Sequence, residues 1–236
     1  MTLNKYNQTA NFEMVSILGR EIPQTLEEII DPKHTALVIH DMQNDPCNPE
    51  TPQYKYMGPI DCYTILPRVL KLREAARKAG VLVMYTQYTN QPEWRSTSDF
   101  QIYKMKEKFL DSNNSPPQSS VYGTWGWEII DELKPGKDET QIFKYRRDTF
   151  IGTNFDIFLH GHGIKTIVSC GIALEVGIQP TAVTASQMDY FPVVPKDAVS
   201  GRHQNYMDEA MKLLERTVIV TESQKIIDAW EKSSTK

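Results

Sequence analysis

Short apolar runs alternate with stretches of helical periodicity along most of the chain. Residues 35–40 form a mostly apolar, β-branched run that ends at Asp41, which predicts a buried strand of a parallel sheet. Between Ile65 and Ala79 apolar residues recur every three or four positions and Gly80 follows, which predicts a helix. By the same criteria, further strands are expected at residues 81–85, 141–144, 166–170, 192–195 and 218–220, and further helices at about 153–163, 177–188, 205–216 and 221–230.

This alternation specifies the fold class. Parallel strands need crossover helices between them, so the pattern predicts an α/β fold with a doubly wound, Rossmann-like, mostly parallel sheet of about six strands and helices on both faces. We expect a single domain over residues 34–236, preceded by an N-terminal arm over residues 1–33. The segment at about 87–122 is long for a connection within a compact domain, which is typical of a lid, a binding loop or an interface element, or else of a disordered insertion.

Composition and charge exclude several classes of function. The 236 residues carry 26 basic and 30 acidic side chains, for a net charge of −4 at pH 7, so neither nucleic acid nor a membrane surface is an expected partner. The first residues lack the apolar core of a signal peptide, and three cysteines do not make a disulfide framework. We therefore expect a cytoplasmic globular protein of the size of an enzyme.

The ends of three predicted strands carry the candidate chemistry. Asp41 follows the first strand, Lys144 ends the third, and residues 170–177 lead away from the fourth. Ligands of open parallel sheets bind outside the carboxyl ends of the strands, so these groups can converge there, although charged strand ends of this kind also occur as structural or exposed pairs. A carboxylate, an ammonium and backbone N–H groups can together move a proton, balance charge and stabilise an oxyanion. His40, one position before Asp41, is expected to point to the opposite side of its strand as a core residue.

Four segments carry a resemblance to a known family. Residues 36–45 are similar to the first strand and the Asp-Met-Gln-Asn-Asp motif of the isochorismatase-like hydrolases, also called the cysteine hydrolase superfamily. Residues 123–133 resemble the run before that family's third strand, residues 144–153 its lysine motif, and residues 171–182 the loop and helix that present the nucleophile. The resemblance implies a hydrolase that needs no cofactor and no metal and assembles as a homo-oligomer, either a dimer or a tetramer.

Carried over residue by residue, the resemblance implies that Asp41 and Lys144 are catalytic. The nucleophilic cysteine of the family's amidases falls on Gly177, which has no side chain and therefore excludes thiol attack from this position. True isochorismatases also lack a cysteine there, and they cleave an enol-pyruvyl ether without a covalent intermediate. The resemblance therefore favours a water-using hydrolase of the isochorismatase type, acting on a small anionic metabolite.

Further site positions follow from the same resemblance. The N–H groups of Ala173 and Gly177 are expected to form the oxyanion site, beside a cis peptide bond between Ile172 and Ala173. Arg147 stands where isochorismatases carry an aromatic substrate contact, and its guanidinium suits a carboxylate on the substrate. Two more side chains, just beyond the predicted second strand, are expected to line the substrate pocket: Gln87 and Trp94.

Three alternatives stay open at this point. The first is an amidohydrolase that uses Cys47 or activated water in place of the usual thiol. The second is a catalytically silent relative that serves as a binding or assembly module, in which the site between Asp41 and Lys144 would be closed. The third is that Gly177 replaces a natural cysteine.

Overall fold

The structure, a computed structural model, describes residues 15–111 and 116–233. The start of the predicted N-terminal arm and the centre of the predicted loop therefore lie outside the described residues. The described chain forms a two-stranded antiparallel hairpin and a seven-stranded parallel sheet. The strands are β1 (Val15–Ile17), β2 (Arg20–Ile22), β3 (Thr35–His40), β4 (Leu82–Tyr88), β5 (Thr140–Lys144), β6 (Thr166–Ile172), β7 (Phe191–Pro195), β8 (Val199–Ser200) and β9 (Ile219–Thr221).

The helices follow from local sequence signals. The longest begins after Asp61, whose carboxylate accepts the Thr64 N–H, and ends at Gly80, which adopts φ +76°. No helix in the described residues is both long and apolar enough to cross a lipid bilayer. The helices are α1 (Leu26–Ile29), α2 (Asn44–Cys47), α3 (Pro52–Met57), α4 (Cys62–Ala79), α5 (Asp99–Leu110), α6 (Phe155–Gly161), α7 (Gln179–Gln187), α8 (Gln204–Thr217) and α9 (Ser223–Ser233).

The predicted α/β fold is confirmed, with β3 near the centre of the sheet. The strand order is β5-β4-β3-β6-β7-β9, and β8 pairs with β6. Every residue of β3 is buried, and its side chains alternate between two apolar layers. Leu37 and Ile39 pack into the layer that contains α4 and α9, whereas Ala36 and Val38 pack into the layer that contains α6. Helices therefore cover both faces of the sheet.

Three of the differences between the structure and the predicted elements lie in the sheet and its connections. The seventh strand, β8, has two residues and is too short to leave a periodic pattern. The strand β4 continues to Tyr88, and the predicted loop at 87–122 contains both the end of this strand and helix α5. Helix α7 begins at Gln179 rather than at 177, because residues Leu174–Ile178 form a π-helical turn. Two of these differences change the surroundings of the candidate site.

Candidate functional site

The carboxyl ends of β3 and β5 bring a carboxylate and an ammonium into direct contact. Asp41 follows β3, Lys144 ends β5, and Nζ of Lys144 lies 2.7 Å from Oδ2 of Asp41. The Lys144 side chain is 1% exposed and that of Asp41 is 13% exposed. A buried ammonium is costly without an opposite charge, so the two side chains hold each other in place. The sequence prediction that these residues converge agrees with this geometry.

The backbone at Asp41 departs from strand geometry. Its φ is +50°, a region that non-glycine residues seldom adopt unless surrounding contacts hold them there. The Asp41 N–H donates to the Thr86 carbonyl, and the Thr86 hydroxyl donates to Oδ1 of Asp41 at 2.7 Å. The same hydroxyl lies 3.4 Å from Nδ1 of His40. The expectation that Asp41 and His40 point to opposite sides is therefore wrong, because regular strand alternation ends at Asp41.

A buried polar chain continues behind the carboxylate. His40 is fully buried on β3, and its Nε2 lies 3.2 Å from the hydroxyl of Ser169 on β6. Burial, with a smaller contribution from the charge of Lys144, holds the pKa of His40 well below its usual value. The imidazole is therefore neutral, and a neutral imidazole has one donor nitrogen and one acceptor nitrogen.

The ammonium of Lys144 has a second partner beside Asp41. It donates to the main-chain carbonyl of Arg147 at 3.0 Å, three residues further along the chain. The side chain of Arg147 itself is exposed. An ammonium has three protons, and these two bonds account for two of them within the described residues. The third proton is left for a hydrogen-bond acceptor beside Gly177. The position is close enough, since a Cβ added to Gly177 would lie 3.5 Å from Nζ.

Gly177 leaves space beside both charged groups. An added Cβ would lie 3.7 Å from Oδ2 of Asp41 as well, so both distances are ordinary van der Waals contacts. The backbone of Gly177 is not in the left-handed region either. By contrast, Gly171 has φ +105° and an added Cβ there would lie 2.4 Å from the His40 carbonyl oxygen. Glycine is thus required at 171 but not at 177, where the buried backbone leaves a gap that would accept a Cβ beside Asp41 and Lys144.

The turn after β6 agrees with one expectation and departs from another. The cis peptide bond joins Ile172 and Ala173, as the sequence resemblance implied. The N–H of Gly177, however, donates to the Ala173 carbonyl at 2.8 Å. The prediction that this N–H faces a substrate oxyanion is wrong, because the turn that begins at Ala173 uses this donor for a hydrogen bond to the carbonyl four residues earlier.

The structure does not bring Gln87 and Trp94 to the charged pair. Gln87 lies inside β4, on the face opposite Thr86, and its side-chain amide donates to the Trp127 carbonyl at 3.0 Å. Trp94 packs edge-on against Phe109 of α5, with ring centroids 4.9 Å apart. Both side chains were predicted to line the pocket because β4 was expected to end earlier and the following segment to be a loop.

The cysteines do not offer a replacement nucleophile. All three are free and buried. Contact with Cys62, together with burial, holds the pKa of Cys47 well above its usual value, and burial raises the pKa of Cys170. Nucleophilic attack needs the thiolate, so neither thiol is activated. Across residues 15–111 and 116–233, no cluster of three or more His, Cys, Asp and Glu side chains could hold a metal ion.

Sequence reasoning missed Thr86 and Ser169. Both are buried polar residues within buried strands, and a buried hydroxyl needs a hydrogen-bond partner. The need of a buried hydroxyl for a partner was the one signal in the sequence that could have pointed to Thr86 and Ser169. It could not identify the partner, because the contacts depend on strand pairing, in which Thr86 lies opposite His40 and Ser169 lies opposite Val38.

Comparisons with known proteins agree with this fold. Residues 35–225 match the isochorismatase domain. The chain is 27% identical over 195 residues to the ureidoacrylate amidohydrolase RutB of Caulobacter segnis, covering 77% of this chain and 78% of that protein. A solved isochorismatase family protein from Desulfovibrio vulgaris superposes with a TM-score of 0.72 at 26% identity, covering 84% of this chain and 99% of that one. The N-carbamoylsarcosine amidase of Thermoplasma acidophilum superposes with a TM-score of 0.62, also at 26% identity, covering 80% and 96%.

Proposed function

The chain belongs to the isochorismatase domain family of hydrolases, and on this basis we propose that Asp41 and Lys144 activate water to cleave a small anionic metabolite. No covalent thiol intermediate takes part. The observation that carries the proposal is the gap at Gly177, which borders Oδ2 of Asp41 and Nζ of Lys144. A water molecule or a substrate atom in that gap is within reach of a proton carrier and of a positive charge.

Hydrolysis of an enol-pyruvyl ether is the first candidate reaction. Asp41 in its acid form gives a proton to the terminal vinyl carbon, which leaves an oxocarbenium ion. Water adds to the ether-bearing carbon and gives a proton to the Asp41 carboxylate. The hemiketal then collapses, its hydroxyl proton passes to the leaving alcohol, and a keto acid is released.

Amide hydrolysis is the second candidate reaction, and the similar proteins favour it. The ureidoacrylate amidohydrolase and the N-carbamoylsarcosine amidase both cleave amide-type bonds by their names. In this chain such a reaction would use water: Asp41 takes a proton as water adds to the carbonyl carbon, and Lys144 balances the charge on the tetrahedral intermediate. The C–N bond then breaks as Asp41 returns the proton to the leaving nitrogen, and the acid is released. Cys47 is a poor substitute nucleophile, because contact with Cys62 and burial raise its pKa.

A panel of purified compounds separates the two reactions. We expect turnover of isochorismate, an enol-pyruvyl ether, and little turnover of ureidoacrylate, N-carbamoylsarcosine or nicotinamide. Products are measured by liquid chromatography and mass spectrometry for the wild type and for Lys144→Met, which preserves side-chain length but removes the charge. Turnover of the amides alone would replace the first candidate with the second. A wild type inert toward all four compounds would favour a binding or assembly role.

Arg147 is proposed to bind the carboxylate of the substrate. Its main chain contacts Lys144 and its side chain is exposed, so the guanidinium is available for a paired hydrogen bond to an anion. Arg147→Gln is expected to raise KM about 10- to 100-fold, as for the loss of a charged hydrogen bond, and to change kcat less than about threefold. The control is Arg216→Gln, because Arg216 is exposed at the end of α8, at the opposite edge of the sheet. An unchanged KM would remove Arg147 from the substrate site.

Two further expectations concern the cellular location and the oligomeric state of the protein. A cytoplasmic location and assembly into dimers or tetramers stay predictions from the sequence. Size-exclusion chromatography with light scattering tests the second of these directly.

A further inference from the structure

Three buried polar side chains form a continuous chain that ends on Asp41. In order, they are Ser169 on β6, His40 on β3 and Thr86 on β4, with contacts of 3.2 Å, 3.4 Å and 2.7 Å leading to Oδ1 of Asp41. None of the three is more than 1% exposed, so bulk solvent does not reach them. Their hydrogen atoms must therefore be satisfied within the chain.

The direction of these hydrogen bonds follows from counting donors. His40 Nε2 is the partner that the described residues offer to the Ser169 hydroxyl. If Ser169 accepted from Nε2, its own proton would be buried without a partner, which is unfavourable. Ser169 therefore donates to Nε2, and the proton of the neutral ring lies on Nδ1. Nδ1 then donates to the Thr86 oxygen, and Thr86 donates to Oδ1 of Asp41.

We propose that Thr86, oriented by His40 and Ser169, is a positioning residue that keeps Oδ1 of Asp41 as a hydrogen-bond acceptor and assigns the reactive proton to Oδ2. The inference rests on the proposed function, because it presumes that Asp41 carries the proton. Oδ1 accepts from Thr86 in both forms, since the carbonyl oxygen of a carboxylic acid is an acceptor like the carboxylate oxygen. Oδ2 is the oxygen that contacts Lys144 and borders the gap at Gly177.

The other ionisable groups around Asp41 do not compete for this proton. Lys144 from β5 is the charged neighbour. The charge of Asp41 also contributes to raising the pKa of Tyr88 from β4 and of Cys47 from α2. Burial raises the pKa of Tyr88, and contact with Cys62 together with burial raises that of Cys47, so both remain neutral near pH 7. Around His40, Lys144 is the charged group that acts on the ring.

The test compares two substitutions at Thr86 with a matched control. Thr86→Val keeps the shape and removes the donor, whereas Thr86→Ser keeps the donor. Thr35→Val is the control, because Thr35 is equally buried at the other end of the sheet and its hydroxyl donates to the Asp31 carbonyl. With the panel compound that the wild type turns over, Thr86→Val is expected to lower kcat about 10- to 100-fold with little change in KM. Thr86→Ser and Thr35→Val are expected to stay within about threefold of the wild type.

The pH–rate profile gives a second readout that a merely structural role would not move. In Thr86→Val the ionised carboxylate of Asp41 loses a charge-assisted hydrogen bond. The limb of the pH–rate profile that reports on Asp41 is therefore expected to move about one unit to higher pH. An unmoved limb with wild-type kcat would overturn the proposal. If Asp41→Asn keeps full activity, the proposed function fails instead, which distinguishes the two failures.

A substrate-free measurement checks the hydrogen-bond direction. Nitrogen-15 NMR of His40 in the wild type is expected to show a neutral ring with the proton on Nδ1 near pH 7. A proton on Nε2 would reverse the chain and overturn the assignment, whatever the substrate is.

Discussion

Asp41→Asn is expected to lower turnover about a thousand-fold while the protein stays folded, in line with the loss of a general acid–base group. Asparagine has nearly the same shape as aspartate, and its side-chain oxygen can still accept the hydrogen bond from Thr86. It cannot give or take a proton near neutral pH, so both proton transfers in the proposed reaction are lost. Steady-state kinetics with the panel substrate measures the effect.

The same substitution has a cost in stability that must be measured separately. Lys144 is 1% exposed and loses its opposite charge, so the free energy of unfolding is expected to fall by about 3 kcal/mol. Urea unfolding of the wild type and the variant gives this number. Asp31→Asn is the control, because the Asp31 carboxylate accepts from the Lys33 N–H near the start of β3, away from the site. Retained turnover with an unchanged pH–rate profile would show that Asp41 takes no part in the mechanism.

Gly177→Cys is expected to place a reactive thiol in the gap. The backbone accepts a Cβ at this position, and the added atom would lie 3.5 Å from the ammonium of Lys144, which favours the thiolate. We expect iodoacetamide to modify one cysteine per chain in the folded variant. The wild type is expected to remain unmodified under the same conditions, because its cysteines are buried and their thiolates are disfavoured: contact with Cys62 and burial raise the pKa of Cys47, and burial raises that of Cys170. Intact-protein mass spectrometry measures both results.

The thiol should also displace the water that the proposed reaction needs. Turnover of the panel substrate by Gly177→Cys is therefore expected to fall at least about tenfold. Gly177→Ala adds the Cβ without the sulfur, so it distinguishes the effect of filling the gap from the effect of the thiol. A Gly177→Cys variant that is folded, unreactive toward iodoacetamide and as active as the wild type would show that this gap is not part of the site.

The charged pair shows how far the sequence leads toward the site. Asp41 and Lys144 were placed at one edge of the sheet by strand prediction and by motif resemblance, and the two side chains are in contact. Gln87 illustrates where this reasoning fails. An error of three residues in the end of β4 moved it from a predicted pocket position to a buried contact with Trp127. Strand ends are defined by hydrogen bonds to neighbouring strands, which a local pattern does not contain.

The prediction that the Gly177 N–H forms part of an oxyanion site failed for a similar reason. The resemblance identified this position as the place of the missing nucleophile, and a side chain there would face the charged pair. The Gly177 N–H donates to the Ala173 carbonyl four residues earlier, in the turn that leads from β6 into the π-helical segment Leu174–Ile178. A turn of this kind depends on how β6 meets α7 and has no periodic signature in the sequence.

By itself the sequence determined the alternation of strands and helices, the parallel sheet, the family resemblance and the identity of the pair Asp41 and Lys144. These features follow from local periodicity and from motifs, and both kinds of signal are contained within short stretches of consecutive residues. Only the tertiary structure decided that Thr86, His40 and Ser169 form a chain behind Asp41. The physical reason is that these contacts join three strands, so they depend on the register of strand pairing and on the left-handed backbone of Asp41.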